Sequence, residues 1–104
     1  MTKVKATVFD DTTGYRGDNL YDGYYYAELS TNPEANIKDL DYAALGNHPY
    51  KYRIKISYGG KSVIAYKGDI GRGGVKYRPQ IDLHKNVADA LGFPGRGIVE
   101  IVAV

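Results

Sequence analysis

Two aspartates carry the strongest chemical signal in this chain. Asp69 lies in Gly68-Asp69-Ile70-Gly71-Arg72-Gly73-Gly74, and Asp82 sits between two aliphatic residues in Ile81-Asp82-Leu83. A carboxylic acid donates a proton near neutral pH only when burial keeps the proton on it. Flanked by Ile81 and Leu83, Asp82 is the candidate for that role. Asp69, among glycine backbone donors and beside Arg72, is expected to stay ionised and to stabilise positive charge or orient a sugar. Each has a plainer reading as well. Asp82 at a helix start would be an N-cap accepting backbone N–H groups, and Asp69 among glycines would be a turn former.

Other chemistries find less support. The glycines of Gly71-Arg72-Gly73-Gly74 follow no nucleotide fingerprint and lead into no helix opening with Lys-Ser or Lys-Thr. Two widely separated histidines, His48 and His84, give no metal-ligand spacing, and His48 beside Pro49 reads as a surface residue. With no cysteine there is no disulfide, zinc–thiolate site or thiol nucleophile. No cofactor and no metal are expected. The net charge of +2 is small and its cations are scattered, apart from Arg72, Lys76 and Arg78 in one loop, so a nucleic-acid partner is not expected. No apolar run approaches the ~20 residues that span a bilayer. The start, Met1-Thr2-Lys3-Val4, lacks the apolar core of a signal peptide, so the chain is expected either to be made without one or to begin after it.

Tyrosine dominates the aromatic residues, with 11 against 2 Phe and no Trp. It favours strands and joins an apolar face to a polar tip, which suits both a core and a platform for sugar rings. Neighbours on a strand face opposite sides, so Tyr24-Tyr25-Tyr26 must expose at least one ring.

The elements that would position these residues follow from periodicity. Lys3 to Phe9 alternates, with Val4, Ala6 and Val8 on one face, and predicts a strand. Asp10 to Gly23, with three glycines and four aspartates, predicts a long loop. Tyr24 to Leu29 predicts a second strand. Helical spacing of Ile37, Leu40, Ala44 and Leu45 before Gly46 predicts a short helix over 37–45. Tyr50 to Tyr58 alternates throughout, turns at Gly59-Gly60 and returns as Ser62 to Tyr66, a hairpin. Gly71 to Gln80 reads as a loop, and Ile81 to Leu83 as a short extended piece. A second helix, begun by Asp82 or His84, places Leu83, Val87, Ala90 and Leu91 on one face with Gly92 as its cap. Ile98 to Val102 ends the set. At 104 residues the chain is expected to be one domain, mainly β, with six strands and two short helices in a small barrel.

This order of pieces resembles the double-psi β-barrel of rare lipoprotein A, the expansins and membrane-bound lytic transglycosylase A. The likeness runs from Ala6-Thr7-Val8-Phe9 to the last strand. It is most specific where Ser62-Val63-Ile64-Ala65-Tyr66-Lys67-Gly68-Asp69 matches a strand ending in Asn-Asp-Arg-Gly, and where Ile81-Asp82-Leu83-His84 matches an Ile-Asp-Leu-Ser helix start. The resemblance implies a polysaccharide groove, with Asp82 and Asp69 in catalytic positions and Thr7 at the place of a first-strand threonine in bacterial expansins. Tyr25, His48, Arg72, Tyr77 and Arg78 would contact the polymer. The chain departs from these families at Gly71, where expansins carry a tyrosine, and at His48, offset by about one helical turn from the rare lipoprotein A histidine. The longer loop between the acids carries Lys76, Tyr77 and Arg78.

Three functions are then expected to compete. The first is cleavage of peptidoglycan glycan strands by a lytic transglycosylase or muramidase-type mechanism, with Asp82 as acid and Asp69 as its partner. Such an enzyme would act as a monomer at the bacterial cell wall, as a secreted, periplasmic or phage-delivered protein. The second is an expansin-like module that grips wall polysaccharide without cleaving it. The third is a protein-binding member of the fold, a protease inhibitor for example, using the loops Asp10 to Gly23 and Gly71 to Pro79.

Overall fold

In the computed structural model the described residues are 2–30, 48–72, 77 and 79–104. They form six strands: β1 (Thr2–Phe9), β2 (Tyr25–Ser30), β3 (Arg53–Tyr58), β4 (Lys61–Arg72), β5 (Ile81–His84) and β6 (Arg96–Ala103). One helix, α1 (Lys85–Leu91), follows β5, and a single 3-10 turn covers Leu20–Asp22 within the first long loop. The strands close into a barrel in the order β1-β5-β2-β4-β3-β6. Two of its pairings, β1 with β5 and β2 with β4, are parallel, and the other four are antiparallel. The fold is therefore mainly β, as the alternation predicts. The expected helix over 37–45 lies outside the described residues.

Alternation decides what fills the barrel. Val4 and Ala6 from β1, Tyr26 from β2, Ile54 and Ile56 from β3, Ala65 from β4, Ile81 and Leu83 from β5 and Val99 from β6 form one buried cluster. Val87, Ala88 and Leu91 of α1 join it together with Phe93. Burying a side chain of Ile or Leu size contributes about 1.5–3 kcal/mol. The pleat then sends Thr7, Asp82 and Ala27, which alternate with these residues, to the outside of the barrel.

Several boundaries differ from the periodic reading. β3 begins at Arg53 because Pro49–Lys51 makes a turn, in which Tyr52 N–H donates to Pro49 C=O at 3.0 Å and Lys51 has φ of +64°. β4 runs on through Gly68 and Gly71 to Arg72 instead of ending at Tyr66. Gly71 pairs with Leu29, while Gly68 is the extra residue of a bulge, between Lys67 opposite Tyr26 and Asp69 opposite Ala27. A Cβ on Gly68 would stand 2.6 Å from the Tyr25 ring, so this glycine serves close packing and not a chain reversal. In α1, Ala88 faces the core and Ala90 faces solvent. Gly92 closes the helix in the left-handed conformation, φ +68°, its N–H directed at the Ala88 and Asp89 carbonyls.

Candidate functional site

Strand register brings the two aspartates together. Thr7 on β1 lies opposite Asp82 on β5, Asp82 lies opposite Ala27 on β2, and Ala27 lies opposite Asp69 on β4. Paired residues face the same side of a sheet, so Thr7, Asp82, Ala27 and Asp69 form one row across four neighbouring strands. At about 4.8 Å per strand, the backbones at Asp82 and Asp69 stand roughly 10 Å apart. β6 extends the row beyond Thr7 with Arg96.

The ionisation of Asp82 is set mainly by burial. Desolvation pushes its carboxyl up to about 6, and the nearby charges of Asp11 and Asp69 add to the rise. The Thr7 hydroxyl, donating to Asp82 Oδ1 at 3.0 Å, opposes it without cancelling it. Asp82 is no helix cap, since His84 occupies that position, its Nδ1 accepting from Asn86 N–H. The residue stays within β5, where a partly buried carboxyl keeps its proton unusually well.

Asp69 departs from its expected setting. It lies within β4, not in a loop, and burial raises its carboxyl as the leading effect. The backbone N–H groups of Ile70, 2.9 Å from Oδ1, and of Tyr15 pull the other way. Asp11 raises it further, so burial and the Asp11 charge together outweigh the backbone donors and the net shift is upward. The loop between β1 and β2 thus lays both a carboxylate and a backbone donor against the row. That loop approaches closely because residue 14 is glycine: a Cβ there would be 2.0 Å from the Gly68 carbonyl oxygen. Leu20, wholly buried, packs against the same two glycines.

The other expected binding residues are distributed unevenly. Tyr25 stands two residues before Ala27 on the same face of β2, half-buried over Gly68. Tyr77 lies at the far end beside Arg96, its hydroxyl donating to Gly97 C=O at 3.1 Å. His48 joins a different cluster. Its ring stacks on Tyr52 with centroids 3.9 Å apart, and its backbone N–H donates to Glu28 Oε1 at 3.0 Å. Arg72 pairs through its backbone with Ser30 at the end of β4. The Arg72 side chain and Arg78 lie outside the described residues.

Sequence reasoning missed Asp11, which acts on both acids, and the buried pair Glu28 and Lys67. Glu28 is fully buried and Lys67 is 3% exposed, with Nζ 3.3 Å from Glu28 Oε1. The alternation of β2 sends Glu28 inward with Tyr26, a signal available in the sequence. Among the described residues no group of three or more His, Cys, Asp or Glu side chains is placed to hold a metal ion. Open depressions around the β3–β4 turn and between Tyr21–Tyr24 and α1 include neither Asp69 nor Asp82.

No protein-family model matches this sequence, and no curated protein matches it. Its fold is nevertheless found among solved structures. The crystal structure of cerato-platanin 3 from M. perniciosa matches with a TM-score of 0.58 over 99% of this chain and 94% of that one, at 12% identity. That structure is a double-psi β-barrel of the expansin-like kind, and the closed six-stranded barrel here shares its architecture.

Proposed function

We propose that this barrel is a polysaccharide-binding module of the expansin-like kind and that the row from Thr7 to Asp69 is its groove. The observation that carries this reading is the register itself. It sets a hydroxyl and two carboxylates side by side on the outer face of a rigid barrel, with Tyr15 and Tyr25 at one end. Groups held on paired strands keep fixed spacings, which suits the hydroxyls of a glycan chain. The likeness of Ile81-Asp82-Leu83-His84 to the acid motif of rare lipoprotein A and the expansins points to the same face. Co-sedimentation with insoluble peptidoglycan, cellulose and chitin tests the reading. Asp82→Ala and Asp69→Ala together should abolish retention on whichever polymer binds, and unchanged retention would place the groove elsewhere.

A second reading, cleavage of the glycan, is favoured by one observation, the Asp82 carboxyl at about 6. A group that holds its proton near neutral pH can protonate a glycosidic oxygen. Backbone positions two strands apart leave room between the acids for a sugar hydroxyl or a water. Digestion of purified sacculi, followed by mass spectrometry, separates the two readings. Anhydro-muropeptides released by the wild type and not by Asp82→Asn would make the module a lytic transglycosylase.

A further inference from the structure

Beyond the acids, the row is bracketed by cations that rest on tyrosines instead of on carboxylates. At the Asp69 end, Arg16 lies over the rings of Tyr15 and Tyr50, 5.9 and 4.9 Å from their centroids. Those two rings meet edge to face at 5.9 Å. Tyr15 is the residue whose backbone N–H reaches Asp69, so this cluster adjoins the row directly. At the Thr7 end, Arg96 and Lys5 lie over the ring of Tyr77, 5.0 and 5.5 Å from its centroid. Arg96 is the register partner of Thr7, and Lys5 stands two residues before Thr7 on the same face of β1.

The manner in which these cations are held matters. A ring face attracts a cation through its quadrupole and leaves the net charge intact, whereas a carboxylate neutralises it. Among the ion pairs of the described residues, Lys51 is bound to Asp18 and Lys85 to Asp89, but Arg16, Arg96 and Lys5 take part in none. Two ends whose arginines form no ion pair among the described residues therefore enclose a middle that carries Asp11, Asp69 and Asp82. At the Arg16 end Asp18 accepts from the Tyr50 hydroxyl and is paired with Lys51. Neutral sugars stack on open aromatic faces. Here the faces of Tyr50 and Tyr77 are occupied, and what they present is guanidinium, the group that pairs bidentately with a carboxylate.

We infer that the groove takes a carboxylated glycan, whose acidic sugars pair with Arg16 at one end and with Arg96 and Lys5 at the other. The inference rests on the groove reading and narrows it to a substrate class. The acids of the middle repel a ligand carboxylate placed there and so fix which sugars sit at the ends.

The test uses two soluble polymers with one backbone, carboxymethylcellulose and hydroxyethylcellulose, in affinity electrophoresis or calorimetry. The wild type should bind the carboxymethyl polymer in preference and lose that preference at high salt. Arg16→Gln and Arg96→Gln should each weaken binding about three- to fivefold, and together about tenfold or more, as expected for exposed charge pairs. Lys85→Gln, which removes an equal charge from α1, should leave binding unchanged. Thermal melts matching wild type confirm that the variants fold. Equal affinity for the two celluloses would overturn the inference and leave the groove standing. Preference for carboxymethylcellulose that survives in the double variant would also overturn it, by tracing the preference to net charge. Binding to neither cellulose, nor to polygalacturonate, peptidoglycan or chitin, would remove the groove reading itself.

Discussion

Asp82 shows how one side chain turns burial into a pH-dependent property. Its folded-state value of about 6 exceeds the 3.8 of a free carboxyl, so the folded protein holds this proton more tightly than the unfolded chain does. The resulting stabilisation is complete below about 3.8 and is lost as pH rises through 6. Above that, the ionised group costs stability. The full shift corresponds to roughly 3 kcal/mol, but the side chain is partly exposed and solvent screens it, so about 1 kcal/mol is expected. Asp82→Asn, which mimics the protonated state, should therefore stabilise the protein by about 1 kcal/mol at pH 8 and leave it nearly unchanged at pH 4. Urea denaturation at the two pH values measures the difference, and an equal effect at both would refute the shift. Thr7→Val removes the hydroxyl that opposes this rise. NMR titration of the Asp82 carboxyl should then give a value above that of the wild type, and a fall would mean that the Thr7 bond does not act on the ionised form. The raised Asp82 was legible from its neighbours Ile81 and Leu83. The raised Asp69 was not, because its flanking glycines read as a solvated loop, while Gly68 packs a strand bulge against Tyr25 and Leu20.

Among the elements, the hairpin, the first strand and the Gly92 cap were readable from alternation and local residue chemistry. The loop between β1 and β2 was not, since its composition predicts only irregularity. What orders it is tertiary: Gly14 against the Gly68 carbonyl, buried Leu20, and His84 Nε2 3.0 Å from the Asp11 carbonyl oxygen. A ring that accepts from Asn86 N–H at Nδ1 while donating from Nε2 to Asp11 caps α1 and ties down the loop at once. Gly14→Ala places a Cβ 2.0 Å from a backbone oxygen that cannot swing aside, so the loop itself must move. The expected cost is about 1–3 kcal/mol, as for other overpacked sites. The loop that carries Asp11, Tyr15 and Arg16 should also exchange its amide hydrogens faster, and ligand retention should fall. Wild-type exchange in residues 10–23 would show that the close approach does not hold the loop.

The barrel as a whole assembles the row from residues that are remote in sequence, Thr7 and Asp82 being separated by 75 positions. No local pattern announces such a pairing, nor that the inward-facing Glu28 meets Lys67 there. Glu28 and Lys67 lie within the closed wall, next to Tyr26, whose hydroxyl donates to Tyr52 C=O and resists ionisation, first through burial and then through the Glu28 charge. Taking two charges out of water costs nearly as much as their attraction returns, so such a pair contributes little net stability but penalises the loss of either member. Glu28→Gln, which removes the Glu28 carboxylate from beside the Lys67 ammonium, should destabilise the barrel by up to about 3–5 kcal/mol. Lys67→Met, which leaves the carboxylate inside, should cost a similar amount. The double variant should cost clearly less than the two single losses added, by about 2 kcal/mol or more, as expected for contacting charges. Additive losses in a denaturation cycle would mean that each charge is held by other groups. A large coupling would make the pair a device of specificity that favours the one strand arrangement in which β2 and β4 lie side by side, and with it the alignment of Asp82 and Asp69 on the outer face.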